Sequence, residues 1–216
     1  HLLADGVVGQ AELEGMVEAA LAAVGRGAEV THGLLAFSRQ QSLSPVVIDL
    51  ADLIADTVKL LRPALGEMIS IESRLDARAS CPFVDRGHLQ NALVNLAINA
   101  RDAMPTGGRL TFEFKDVHLE GEAPKSGTGG GTRGDKVAGD FVMVAVSDNG
   151  RGIEAEIIER ICEPFFTTKE TASNSGLGMS MVQGFVRQSG GQLEISSVVG
   201  QGTTIKLYLP RAEPGQ

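Results

Sequence analysis

The spacing of apolar residues divides the chain into a helical first segment and a mixed remainder. From Ala11 to Gln41, Leu13, Met16, Val17, Ala20, Leu21, Val24, Ala28, Leu34, Leu35 and Phe37 recur at three- and four-residue steps, which predicts an amphipathic helix. Gly15, Gly25, Gly27 and Gly33 each weaken it by about 1 kcal/mol relative to alanine. Such a helix needs a partner surface. Ser42 to Pro45 marks its boundary, because the residue before a proline is biased away from helix. The segment reads equally as a helix packed on the domain C-terminal to it or as half of a dimerising hairpin.

Beyond that boundary, apolar periods of two and of 3.6 alternate. Val46 to Ile48 predicts a short strand, Leu50 to Arg62 an amphipathic helix stopped by Pro63, and Ile69 to Leu75 a strand. Asp85 to Ala103 predicts a strongly apolar helix, ended by the turn Pro105-Thr106-Gly107-Gly108. Leu110 to Val117 and Phe141 to Val146 alternate as strands, and between them residues 121–139 have the composition of a surface connection. Leu177 to Ser189 predicts a helix, followed by paired strands at Gln192 to Ser197 and Thr203 to Leu209. Strands interleaved with helices, joined partly by hairpins, predict an α+β fold: a two-layer α/β sandwich with helices on one face of a mixed sheet.

Composition narrows the possible partners. The 216 residues are 43% hydrophobic and carry a formal net charge of −8. That balance argues against broad electrostatic binding to nucleic acid or to an anionic membrane. A polyphosphate remains possible if a cation and locally aimed N–H groups supply the attraction. Two cysteines, Cys81 and Cys162, suggest no disulfide framework. With no apolar run long enough to span a bilayer and no signal pattern, a cytoplasmic location is expected.

Four short stretches carry candidate chemistry. Asn95, Asn99 and Asp102 lie at i, i+4 and i+7 of the predicted helix, with Asn91 one turn earlier, so their polar side chains share a face. Amide oxygens there suit Mg²⁺, although asparagines serve equally well to cap neighbouring loops. Next comes Ser147-Asp148-Asn149-Gly150-Arg151-Gly152-Ile153, after an apolar strand. Its carboxylate and alternating glycines could meet a flat ligand such as adenine, or form a plain turn. Glu163-Pro164-Phe165-Phe166-Thr167-Thr168-Lys169 offers aromatic cover and a point charge for phosphate, or a hydrophobic plug. Asn174-Ser175-Gly176-Leu177-Gly178 leads into a helix whose N–H groups suit phosphate. No Gly-x-x-x-x-Gly-Lys-Ser/Thr run occurs, which excludes a P-loop. Gly200-Gln201-Gly202-Thr203 opens the last strand, where Thr203 could add a hydroxyl beside Asp148.

Taken in order, these motifs resemble the GHKL (Bergerat-type) ATP-binding fold of sensor histidine kinases, over about Val46 to Pro210. The resemblance implies ATP and Mg²⁺ as ligands, with Asn95 and Asn99 as catalytic N-box residues and Asn99 holding the metal. It implies adenine on Asp148, a nucleotide cleft including Asp102, Gly150, Gly152, Ile153, Phe166 and Thr203, and phosphate contacts from Lys169. Gly176, Leu177 and Gly178 are implied nucleotide contacts as well, with a lid between the Asp148 to Gly152 motif and Gly176 closing on the nucleotide. Leu34 to Arg39 looks like the end of the second dimerisation helix of such kinases, which makes residues 1–44 a partial dimerisation segment and 45–216 the catalytic domain. A homodimer through the N-terminal helix and a response-regulator receiver domain are the implied partners, with no nucleic acid and no direct membrane contact.

Two departures qualify the likeness. Many relatives carry glycine where Asn174 stands and lysine where Asp102 stands, which would leave the phosphate charge to Lys169, Arg101 or the metal. More important, His1, His32, His88 and His118 all lack the following acidic residue of a phosphoacceptor. The acceptor is therefore expected upstream, with His32 the residual candidate. A gyrase-like ATPase would need a glutamate base near Asn95, whose amide cannot take a proton. A scaffold that binds no nucleotide would not need Asn99, Asp148, Gly152, Gly176 and Gly178 together.

Overall fold

The computed structural model describes residues 43–76, 81–120, 138–168 and 176–212. The predicted helix over 11–41 lies outside them, as do most of 121–139, Lys169 and Asn174. The elements run β1 (Val46–Val47), α1 (Leu50–Leu65), β2 (Ile69–Leu75), β3 (Phe83–Val84), α2 (Arg86–Ala103), β4 (Gly108–Leu119) and β5 (Gly139–Asp148). Next in the chain are α3 (Ala155–Ile158), α4 (Gly178–Gln188), β6 (Gln192–Val198) and β7 (Gly202–Pro210).

Five strands form one mixed sheet in the order β2-β4-β5-β7-β6, and β1 pairs with β3 in a separate antiparallel ribbon. Only β2 and β4 run parallel within that sheet, and α2 provides the crossover between them. The other neighbours are antiparallel. Alternation then sorts the side chains. Leu110, Phe112 and Phe114 of β4, Val142, Val144 and Val146 of β5, and Leu207 and Leu209 of β7 are buried. They share one core with Leu53 and Leu61 of α1, Leu93 and Leu96 of α2, and Val182 and Val186 of α4. A second, smaller cluster of Phe141, Met143, Ala145 and Tyr208 comes from the alternate positions of the same strands. This is the α+β sandwich that the sequence predicts.

Three elements differ from expectation. Pro63 does not stop α1, which continues to Leu65 and ends at Gly66 with φ of 72°. A proline this close to the end removes one N–H from the last turn only, and buried Leu61 and Leu65 hold that turn on the core. Strand β3 and helix α3, of two and four residues, are too short to show a period. The sheet strands also reach further than the alternation suggests, so Asp148 is the last residue of β5 and keeps a ladder partner in Thr203.

Helix α2 carries the amide face of the site, and its start is capped by Asp85. That carboxylate accepts from the N–H of His88 at 3.0 Å and from that of Ser44 at 3.1 Å. Burial raises the Asp85 pKa, but these N–H groups and the His88 ring outweigh it and hold the carboxyl near 2. Because the folded value lies below the unfolded one of about 3.9, the stabilisation is complete above that pH and is lost as pH falls toward 2. Asp85→Ala should therefore cost about 1 kcal/mol at neutral pH and little near pH 2, as thermal melts across that range will show.

Candidate functional site

A cavity of about 750 Å³ opens between α2, the ends of β5 and β7, and the start of α4. Asn91, Asn95 and Asn99 line it from α2, and Asp148 and Thr203 from the sheet. Gly152, Ile153, Phe166, Gly176, Leu177 and Gly178 of the predicted set line it too. Its floor is apolar, with Val146, Met179 and Ile205, as a flat heteroaromatic ring requires.

Asp148 is half-buried at the end of β5. Its Oδ1 accepts the N–H of Gly150 at 2.8 Å, and the main-chain N–H of Thr203 also bonds the carboxylate. Burial nevertheless dominates and raises its pKa above the ordinary carboxyl value. Two glycines make this close packing possible. Gly152 has φ of 71°, and a Cβ there would lie 2.2 Å from the carbonyl oxygen of Val198. Gly202 has φ of 113°, and a Cβ would lie 2.0 Å from the carbonyl oxygen of Asp148 itself. Gly202→Ala must therefore push β7 away from Asp148. A loss of about 2 kcal/mol or more in chemical denaturation, together with weakened ligand binding, is expected.

Asn95 and Asn99 lie beneath the head of α4. A Cβ built on Gly178 would lie 3.9 Å from Asn95 Cγ and 3.9 Å from Asn99 Nδ2. Neither amide hydrogen-bonds a described residue, so the loop-capping role weighed for them finds no partner here. Helix α4 begins after Leu177 with no side-chain cap, and its first N–H groups meet the same space. Donors, dipole and amides thus converge where a phosphate chain would end.

Several expectations need correction. Asp102 does not line the cavity: it holds Arg101 through bonds of 3.0 and 2.9 Å from Nε and Nη2. Seven residues beyond Asn95 it sits about 10 Å further along the axis, in the last turn. Arg101 also donates to the carbonyl of Ala64 at 3.0 Å, which removes it from the phosphate role considered for it. Gly150 likewise stays outside the cavity, because its Cα packs on α2, where a Cβ would lie 2.6 Å from the Ala103 carbonyl oxygen. The Thr203 hydroxyl bonds Ser197 Oγ at 2.9 Å, so its main chain rather than its side chain serves Asp148. Lys169 lies outside the described residues.

Sequence reasoning missed two fasteners. Ser197 Oγ accepts the N–H of Ile153 at 2.9 Å and donates to the carbonyl of Gly202 at 3.0 Å, tying the Asp148 turn to β7. Asn149 Oδ1 accepts the N–H of Arg109 at 2.7 Å, tying the same turn to β4. Asn149 stood inside the motif and was readable only as a turn residue, while nothing marks Ser197 among the serines.

A sandwich whose described helices hold an amide-lined cavity against a half-buried carboxylate and an uncapped helix start is suited to a nucleotide. Residues 84–213 match the family model described as histidine kinase-, DNA gyrase B- and HSP90-like ATPase. The chain belongs to that family, as the catalytic domain of a sensor histidine kinase. The sensor kinase CckA of Brucella abortus (strain 2308) is 43% identical over 188 residues, covering 86% of this chain and 19% of that protein. The chain thus spans about a fifth of that relative's length. Full-length ShkA in complex with AMPPNP superposes with a TM-score of 0.70 at 22% identity, covering 94% of this chain and 40% of that one. ThkA in complex with the response regulator TrrA gives 0.71 at 20% identity, with 96% and 54% covered. Likeness at that identity speaks for the fold alone. Among the described residues no helix is long and apolar enough to cross a membrane.

Proposed function

We propose that this chain binds ATP with Mg²⁺ and directs the γ-phosphoryl group to a histidine, for relay to an aspartate on a response-regulator receiver domain. The observation that supports it best is the shared cavity: Asp148 at one end, and Asn95, Asn99 and the free start of α4 at the other. In this reading Asp148 accepts the adenine amino group, and Ile153, Met179 and Ile205 hold the ring. Lys169 would add charge to the phosphate end, and Gly176 to Gly178 would meet the phosphates, with the lid that precedes Gly176 closing on the nucleotide.

The metal fits as a companion of the nucleotide rather than as a resident. No group of three or more His, Cys, Asp or Glu side chains able to hold an ion occurs among the described residues. Asn99, with Asn95 beside it, offers neutral oxygen to an ion that keeps waters and phosphate oxygens as its other ligands. Bound there, Mg²⁺ would neutralise phosphate charge. The chain's own part is to fix the triphosphate in line with the incoming imidazole and to meet developing charge with N–H groups of α4. Asn95 offers no base for water, so hydrolysis is slow.

The acceptor is proposed to be none of the four histidines of this chain. His88 Nδ1 lies 3.0 Å from Asp85 Oδ1 and its ring stacks on Phe185, and His118 Nδ1 lies 2.7 Å from Asp140 Oδ1. Both read as packing and surface residues. A dimer through residues 1–44, with 45–216 as the catalytic unit, completes the proposal. Calorimetric titration with AMPPNP, with and without Mg²⁺, followed by a phosphate-release assay with ATP, tests it. Mg-dependent binding with negligible release is expected. Rapid release would turn the reading to an ATPase, and absent binding would reduce the chain to a scaffold.

A further inference from the structure

The turns after α3 place a cation over an aromatic ring of the cavity wall. The Arg160 guanidinium carbon lies 4.4 Å from the centroid of Phe166, inside cation–π range. Its Nε donates to Glu163 Oε2 at 3.2 Å. Phe166 is the ring that lines the cavity. Three successive backbone bonds build this corner: Arg160 N–H to Ile157, Glu163 N–H to Arg160, and Phe166 N–H to Glu163, at 3.0, 2.8 and 3.2 Å. Between them Cys162 is buried as the anchor to the core.

The neighbouring residue shows why a clamp is needed. Phe165 has φ of 66°, a strained value for a non-glycine residue, and its side chain is 57% exposed. Its N–H bonds the carbonyl of Gly176 at 3.1 Å. A strained, exposed aromatic beside Phe166 gives the wall little support from the core. The guanidinium supplies support from outside.

We propose that Arg160 is a positioning residue for nucleotide binding, fixing the Phe166 ring as a rigid wall of the cavity without touching the ligand. The inference rests on reading the cavity as a nucleotide site. Against it stands the plain alternative that Arg160 and Glu163 form a surface ion pair of no consequence, as such pairs often are. Geometry separates the two. A planar guanidinium stacks on a ring while its Nε bonds a carboxylate, whereas a lysine ammonium cannot do both.

The test uses the 216-residue chain and AMPPNP with Mg²⁺. Affinities are measured by calorimetry for the wild type, R160A, R160K, F166L and the double variant R160A/F166L, with thermal midpoints of each without nucleotide. In parallel, the chain is labelled with fluorophenylalanine, and the Phe166 fluorine resonance is assigned by its loss in F166L. R160A should weaken binding about three- to fivefold at an unchanged midpoint. R160K should recover part of that loss, and R160A should add nothing in the F166L background. The Phe166 resonance should shift and broaden in nucleotide-free R160A. Wild-type affinity in R160A, or an equal loss with and without Phe166, would overturn the inference. Failure of the wild type to bind AMPPNP would sink the nucleotide reading alone; an unmoved fluorine resonance in R160A would sink the clamp.

Discussion

Asp148→Asn is expected to abolish measurable AMPPNP binding while leaving the thermal midpoint of the nucleotide-free chain unchanged or raised. The carboxylate already accepts N–H groups from Gly150 and Thr203. It still has acceptor capacity left for an adenine amino group. An asparagine has one oxygen and one NH₂, so it can satisfy the main chain only by turning a donor toward the ligand's donor. Sites built around a polar contact reject partners that leave it unmade, and a loss of at least about 100-fold results. The stability half has the opposite sign. Burial raises the folded pKa of Asp148, so its contribution to stability is complete below the unfolded value and is lost as pH rises through the folded one. At neutral pH the ionised group is carried at a cost that asparagine removes. Wild-type affinity should accordingly fall on acidification sooner than an ordinary carboxyl would allow, and the midpoints of wild type and variant should converge at low pH. Calorimetry and melts from neutral to acid pH check both halves. A variant that binds normally would remove Asp148 from the site.

That result would also show why some of this molecule was legible in its sequence and some was not. The long elements announced themselves because burial on one face imposes a period: α2 and β4 are half apolar for the same reason. The site residues that line the cavity sit at places where the period is broken by amides, glycines or a carboxylate, as with Asn95, Asn99, Asp148 and Gly176. Spacing along a helix gives an angle but no depth, so Asp102 shares a predicted face with Asn95 without reaching the cavity. A glycine pattern shows where side chains are forbidden without saying by what, so Gly150 read like Gly152 although α2 and not a ligand crowds it. Fasteners such as Ser197 depend on which strands meet, and no local pattern encodes that.

The phosphate end of the cavity yields the other large effect. Asn99→Ala should abolish the Mg²⁺-dependent increment in ATP affinity and lower phosphoryl transfer to an acceptor histidine supplied in trans by about 100-fold or more. The amide sits under Gly178 at the start of α4, without a hydrogen bond to any described residue. Asn99 is only partly buried and faces the open cavity, so its oxygen is accessible to an ion that enters with the nucleotide. Alanine removes that oxygen and leaves the apolar floor intact. The consequence differs in kind from that of Asp148→Asn. Adenosine, which has no phosphates, should bind Asn99→Ala as it binds the wild type, and should not bind Asp148→Asn. Measuring adenosine and ATP against both variants, each with Mg²⁺ and with chelator, makes a square in which only the ATP increment with metal depends on Asn99. Loss of adenosine affinity in Asn99→Ala would mean that the amide shapes the base pocket, and the division of the cavity into a base end and a phosphate end would be wrong.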